Sequence, residues 1–309
     1  MATSAISGGA RLHQASIVAM DTIVTASAVS DEADEAVQSK LEQALGWFRE
    51  VERICSRFDP GSEVFRLSSH VGRPVAVSPL LFEAVQFGCV LSEATDGLFD
   101  PTVGGAQVER GFNRNYATGE RVNAPSAGEP ASWRDLVLDA ERRTITLMKP
   151  LLIDLGAVAK GMAVDLAAWE LSDLGSYAVN AGGDIYAKGR NEDGEPWRIG
   201  IDHPRAEGIL CTLAVSDGAV CSSGDYLRPA KDAGEHHLLD PRSGRSARQA
   251  IACTVVAPTA MLADALSTAA FIAGPDCGLR LLEEQGVDGL IVTPDLGTRM
   301  TSGFERWLA

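Results

Sequence analysis

The chain has 309 residues, 45% hydrophobic and 22% charged, with 31 glycines and only 6% aromatic residues. That composition excludes disordered and fibrous classes and is enough to bury a full core. Its formal charge of −15, from 27 basic against 42 acidic residues, opposes binding to nucleic acid or an anionic membrane.

In chain order, residues 15–29 alternate loosely between apolar and small polar types and read as strand, with a turn near Met20 and Asp21. A helix is expected over 31–53, where Ala36, Leu41, Ala44, Leu45, Phe48 and Ile54 recur at helical spacing behind an acidic first turn. Ser78 and Pro79 have the form of an N-cap and first helical residue, opening a second helix that ends near Ala94, before Asp96 and Gly97. Residues 105–132 show no periodicity and read as a long irregular connection. Beyond it a hairpin is expected from 136–139 and 144–148, then strands at 151–154, 177–180, 184–188, 197–201, 209–215, 250–256 and 288–293. Helices are expected at 158–173, 259–273 and 275–285. Mixed order of this kind predicts an α+β fold rather than a doubly wound sheet.

No run reaches transmembrane length, and the first 25 residues lack the apolar core of an export signal, so a cytoplasmic protein without membrane insertion is expected. The six cysteines form no C-x-x-C pair and read as reduced, mostly buried thiols.

Within the helix at 259–273, Asp264 is the one charged residue, and Thr268 lies one turn on along the same face. A carboxylate and a hydroxyl converging there suit Mg²⁺, which prefers oxygen; the alternative is a hydrogen-bonded structural acid with Thr268 bonded back to its own helix. LLIDLGAVAKGMAVD (151–165) reads as strand, acid, glycine turn and helix, a junction that can bind phosphate, with Lys160 adding charge. Equally, Lys160 is a solvated or capping residue and Asp154 a helix cap. VNAGGDI (179–185) reads as a tight hairpin about Gly182 and Gly183; a nicotinamide-binding G-x-G-x-x-G is absent. Adjacent side chains on a strand face opposite ways, so only one of His236 and His237 is expected to enter a site, as a base or as a structural histidine.

Seven segments in order, SRFDPGSEVFRLS (56–68), TDGLFDPTVG (95–104), IDLGAVAKGMAVD (153–165), VNAGGDI (179–185), SSGDYLR (222–228), HHLLDPRSG (236–244) and ADALSTA (263–269), resemble the ApbE family of FAD:protein FMN transferases. The resemblance implies one domain over 12–309, with mixed sheets and packed helices forming two closely joined lobes around a flavin-nucleotide cleft. It implies Mg²⁺-dependent transfer of FMN from FAD to a Ser or Thr hydroxyl of an acceptor protein, with AMP released. Under it Asp264, Thr268 and the Ala157 carbonyl correspond to metal ligands and His237 to the general base. Gly182, Gly183, Asp184, Ser223, Gly224 and Tyr226, together with Lys160, correspond to flavin-nucleotide contacts. Met20, Asp59 and Phe99 fall in blocks that shape the flavin pocket. Asp21 departs from the Gly or Ser usual after the early Met, and many relatives are exported lipoproteins. A Mg²⁺-dependent FAD pyrophosphatase and a noncatalytic FAD-binding protein are the rival readings.

Overall fold

A computed structural model describes residues 9–115, 119, 121–122, 131–226 and 235–309. The first elements are β1 (Arg11–Ala19), β2 (Thr22–Ser30), α1 (Asp34–Cys55), α2 (Glu63–Leu67), β3 (Val75–Ala76), α3 (Pro79–Ala94) and α4 (Gly104–Glu109). They are followed by β4 (Leu136–Asp139), β5 (Thr144–Leu147), α5 (Gly156–Glu170), β6 (Tyr177–Ala181), β7 (Asp184–Lys188), β8 (Trp197–Asp202), β9 (Ile209–Val215) and β10 (Asp217–Gly224). The chain finishes with β11 (Leu239–Asp240), β12 (Arg245–Ser246), β13 (Ala252–Ala257), α6 (Ala260–Ala273), α7 (Pro275–Glu284), β14 (Asp288–Val292) and β15 (Thr298–Met300).

Eight strands make one sheet in the order β1-β2-β6-β7-β10-β13-β14-β15, and every neighbouring pair is antiparallel. Successive side chains on a strand face opposite sides, and the two faces are covered differently. Val24, Ala26, Val179, Ala181, Cys221, Cys253 and Val255 join the large core beneath α1, α5 and α6. Val220, Ala252, Val256, Leu290 and Val292 pack instead against Ile199, Ile201, Leu213 and Val215 of the β8–β9 hairpin. The helix-side residues are small, which lets alanine-rich helices approach the sheet closely.

Two glycines fix that approach. A Cβ at Gly161 of α5 would stand 2.5 Å from the Ala260 carbonyl oxygen and 2.6 Å from the Met261 Cα. Asp165, one turn later on α5, accepts hydrogen bonds from the N–H groups of the same two residues at 2.7 and 2.9 Å. The two helices therefore run antiparallel, which sets the first turn of α5 toward the part of α6 that follows Ala260. Gly161→Ala is expected to destabilise the protein by about 1–3 kcal/mol, because the overpacking strikes backbone that cannot give way and outweighs the gain in helix propensity. Urea unfolding checks this; an unchanged midpoint would show that the helices separate at little cost.

The expected α+β class holds, and the order of elements follows the sequence reading with four corrections. The first strand expectation resolves into two strands around the turn at Met20 and Asp21, both with positive φ (51° and 63°). Residues 151–154 form no strand; Leu151, Leu152 and Ile153 are buried in a connection whose Asp154 N–H bonds the Pro101 carbonyl at 2.7 Å. An apolar run reads alike whether a sheet or a helix layer covers it. Ser222, Ser223 and Gly224, which fall outside the expected strands, belong to β10, while Leu227 and Arg228 of the same motif lie outside the described residues. Helix α4 interrupts the supposed connection 105–132, of which 116–118, 120 and 123–130 also lie outside them. All six cysteines are free; Cys55, Cys221 and Cys253 are buried and Cys277 is exposed.

Candidate active site

The sheet register gathers most of the motifs at one end. β2 pairs with β6 through Val24 and Ala181, so the Met20–Asp21 turn lies beside the Gly182–Gly183 turn. A Cβ at Gly182 would stand 2.4 Å from Thr22 Oγ1, locking the two hairpins together. Gly182 and Gly183 both have positive φ (63° and 98°), as a two-residue hairpin requires, and Asn180 Oδ1 accepts the Gly183 N–H at 3.1 Å. Val220 pairs with Ile185 and Gly224 with Ala252, which brings the last residues of β10 to this same end. A Cβ at Gly224 would meet the Tyr226 ring at 2.4 Å, so glycine there is what seats the tyrosine.

Helices α5 and α6 lie over this end and supply its charge. Asp184, 1% exposed, forms an ion pair with Lys160. Lys160 is thus neither solvated nor a simple helix cap: it holds a buried carboxylate at the start of β7. Asp264 is 5% exposed, buried as its apolar helix requires. Thr268 Oγ1 lies 3.1 Å from Ser223 Oγ, which also meets Ser267 Oγ at 2.7 Å, while Ser267 donates to the Asp264 carbonyl at 2.8 Å. A three-hydroxyl cluster thereby ties the SSG segment of β10 to the helix carrying Asp264. The thiol of Cys221 sits beneath and donates to the Ala260 carbonyl at 3.5 Å; burial, then the nearby Asp264, pushes its pKa well up, so it is a neutral packing group.

The first turn of α5 is broken at Ala157 (φ −97°, ψ 16°). Its ψ departs by roughly 60° from the helical value, swinging the Ala157 carbonyl away from the helix axis. A carboxylate, a hydroxyl and a turned-out carbonyl are all hard oxygen donors, and they suit Mg²⁺ rather than a thiophilic metal. No group of three or more His, Cys, Asp or Glu that could hold a metal occurs among the described residues. That donor set fits an ion completing its shell with substrate oxygens and water.

The phosphate reading of the 153–158 junction fares differently. Asp154 Oδ1 takes the Gly156 N–H at 2.6 Å, and the Leu155 carbonyl takes those of Val158 and Ala159 at 2.9 and 2.7 Å. Asp154 stands one residue before the N-cap, Leu155, and its other oxygen meets Arg57 Nε at 2.7 Å in a buried ion pair. Arg57 in turn donates to the Phe112 carbonyl at 2.9 Å and lies over the Phe58 ring.

Of the two histidines, His236 is structural: its Nε2 lies 2.7 Å from the Ala247 carbonyl and its ring stands edge-on to Phe271, and burial lowers its pKa. His237 points elsewhere. It is half-buried, its ring 6.4 Å from Phe112, and its carbonyl accepts the Gln107 amide at 3.3 Å. Phe99 is buried against Gly88 of α3, and Asp59 is exposed with its carboxylate turned to the Gly61 N–H at 2.7 Å. The Met20 N–H donates to Glu52 at 3.1 Å, which fixes the strained turn to α1; burial raises the Glu52 pKa.

Two contributing residues carry no role in the sequence reading. Arg57 is invisible without its partner 97 positions away. Asp165 stands in the quoted motif, but only Gly161 one turn earlier hinted at a helix crossing there. Burial raises the Asp165 pKa to about 6, against the lowering pull of its two N–H donors. A carboxyl whose pKa rises on folding stabilises the fold by protonation below its ordinary pKa, and this gain is lost as pH climbs through about 6. In metal-free protein, lowering the pH from 7 to 4 should therefore favour wild type over Asp165→Asn by about 2 kcal/mol. Paired urea titrations test this; a constant difference would place the charge in water.

A family model described as the ApbE family matches residues 20–291. The FAD:protein FMN transferase of Haemophilus influenzae is 30% identical over 299 residues, spanning 91% of this chain and 84% of that protein. The protein of the same name from Vibrio cholerae is 30% identical over 292 residues, spanning 89% and 85%. Among solved structures, the ApbE protein of Thermotoga maritima superposes with a TM-score of 0.87 at 29% identity, covering 97% of this chain and all of that one. The flavin transferase ApbE of Vibrio cholerae gives 0.83 at 27% identity, with 97% and 100% covered.

Proposed function

This chain belongs to the ApbE family, and from that premise we propose that it is an enzyme transferring FMN from FAD to a Ser or Thr hydroxyl of an acceptor protein, with release of AMP. The observation that carries the site assignment is the hydroxyl cluster of Ser223, Ser267 and Thr268, which joins the strand end expected to meet the nucleotide to the helix bearing Asp264. The Gly182–Gly183 turn, Asp184 and Tyr226 border the same end and form the flavin-nucleotide side of the site.

His237 accepts the proton of the acceptor hydroxyl, whose oxygen attacks the FMN-side phosphorus of FAD. The bridging P–O bond breaks and its electron pair leaves with AMP. Asp264, Thr268 and the Ala157 carbonyl would hold Mg²⁺, which would supply a Lewis acid for the pyrophosphate. Lys160 keeps Asp184 paired and in place, and Asp165 keeps α6 seated on α5. Among the described residues no helix is long and apolar enough to cross a membrane, which fits an acceptor met from solution or at a surface.

Incubating the purified protein with FAD, Mg²⁺ and an extract of its source cells lacking the native enzyme, followed by mass spectrometry, tests the reading. A metal-dependent FMN adduct on a Ser or Thr of another protein supports it. Free FMN and AMP without an adduct would instead establish hydrolysis, and FAD recovered intact would establish a carrier.

A further inference from the structure

Two contacts on His237 come from a single stretch of chain. Gln107 of α4 donates to the His237 carbonyl at 3.3 Å, and the ring of Phe112, just past the end of that helix, meets the imidazole edge-on with centroids 6.4 Å apart. The Phe112 N–H bonds the Gln107 carbonyl at 3.0 Å, so the two contacts move together. A base acts only where its nitrogen reaches the proton it takes, and a displacement of about 1 Å can cost about 10²-fold in rate. Whatever seats residues 104–112 therefore bears on the position of His237.

That stretch is seated at both ends. At its start a Cβ on Gly104 would stand 2.5 Å from the Leu152 carbonyl oxygen, so α4 begins in contact with the chain that leads to Asp154. At its far end Arg57 Nη2 donates to the Phe112 carbonyl at 2.9 Å while Nε of the same side chain meets Asp154 at 2.7 Å. Asp154 in turn takes the Gly156 N–H at 2.6 Å, immediately before the non-helical residue Ala157. One guanidinium thus bridges the stretch behind the base and the turn that opens α5. The Phe58 ring, 3.9 Å from the guanidinium carbon, fixes the plane of the bridge.

The plain explanation is that Arg57 neutralises a buried carboxylate. Stability alone is a weak reason for such a pair, because packed apolar residues of similar volume serve as well or better. Arg57 is 5% exposed, and its Nη1 is buried with no hydrogen-bond partner among the described residues, which adds a further cost. Neutralising Asp154 also needs one charge, which a lysine would supply. The Phe112 carbonyl calls on a second donor at a fixed separation from the first, which a planar guanidinium offers and an ammonium does not.

We propose that Arg57 is a positioning residue for His237: by tying the Phe112 carbonyl to Asp154 it holds the ring against which the imidazole rests, and so keeps the base in register with the turn that opens α5. The inference rests on the transferase reading, in which His237 is the base.

Its test reads the imidazole directly as well as turnover. The chain has five histidines, so the ring C–H signals of protein labelled with ¹³C-histidine are few, and His237→Gln identifies the one that belongs to His237. Arg57→Lys and Phe112→Leu should each shift that signal and leave those of His13, His70 and His203 in place. FMN transfer to proteins of the cell extract should fall about tenfold in each variant, and the double variant should lose no more than either alone, since both changes act through one ring. FAD affinity without acceptor, read from flavin fluorescence, should stay within twofold of wild type. Arg57→Lys keeps a charge beside Asp154, and Phe112→Leu keeps the backbone carbonyl that Arg57 holds, so each variant disturbs one link of the chain. An unmoved His237 signal in either variant, transfer within twofold of wild type, losses that multiply in the double variant, or FAD affinity falling in step with transfer would overturn the proposal. Should Arg57→Lys fail to fold, an unmoved His237 signal in Phe112→Leu suffices to overturn it. Failure of the transferase reading shows separately, as absence of any FMN adduct with the wild-type protein.

Discussion

Asp264→Ala should lower FMN transfer by about 10³-fold or more while the protein still folds. The two halves of this expectation come from the same helix. Residues 260–273 are alanine-rich and otherwise uncharged, so alanine at 264 removes a buried carboxylate, raises helix propensity and leaves little void. A purely structural acid would behave in the opposite way, because its loss would strand its partners in the core and cost a few kcal/mol. Thermal unfolding beside an FMN-transfer assay over a Mg²⁺ titration separates the cases. Activity that persists in full and still requires the metal would refute the assignment of Asp264 as a ligand. Thr268→Ser should retain most activity and Thr268→Val should not, since only the hydroxyl is called on there.

The reason Asp264 was visible in the sequence is also the reason it matters: a lone acid at helical spacing among apolar residues has no cheap fate. The same logic exposed the β6–β7 turn, where paired glycines between apolar strands admit few conformations, and the Ser78–Pro79 start of α3, whose Ser78 hydroxyl accepts the Leu81 N–H at 3.3 Å. Local chemistry sufficed for these. It did not suffice for 151–154, where burial beneath Pro101 rather than in a sheet depends on distant packing. Nor did it for Ser222–Gly224, whose small polar residues resemble a loop until β13 pairs with them through Thr254, Cys253 and Ala252. The Lys160–Asp184 and Arg57–Asp154 pairs were illegible for a related reason. Each charge had a plausible local role, and only the fold selects a partner 24 or 97 residues away.

The adjacent histidines offer the sharper division between chemistry and structure. His237→Gln should reduce transfer by about 10²–10⁴-fold, the span typical of a lost general base, with FAD affinity and unfolding midpoint little changed. Glutamine keeps a polar group of similar reach but cannot take the hydroxyl proton. His236→Gln should do the reverse. Its imidazole is held by the Ala247 carbonyl and packed on Phe271, so replacing it costs stability while the surviving folded molecules keep their base. Burial lowers the His236 pKa, which means that folding favours its neutral form. The stability this confers is present above the ordinary histidine pKa of about 6.5 and is lost as pH falls below it, a dependence that His236→Gln should remove. Transfer rates measured per folded molecule for both variants, from pH 5 to 9, decide the matter. Loss of turnover in His236→Gln with retention in His237→Gln would exchange the two roles, and equal loss in both would mean that the segment acts through its backbone alone.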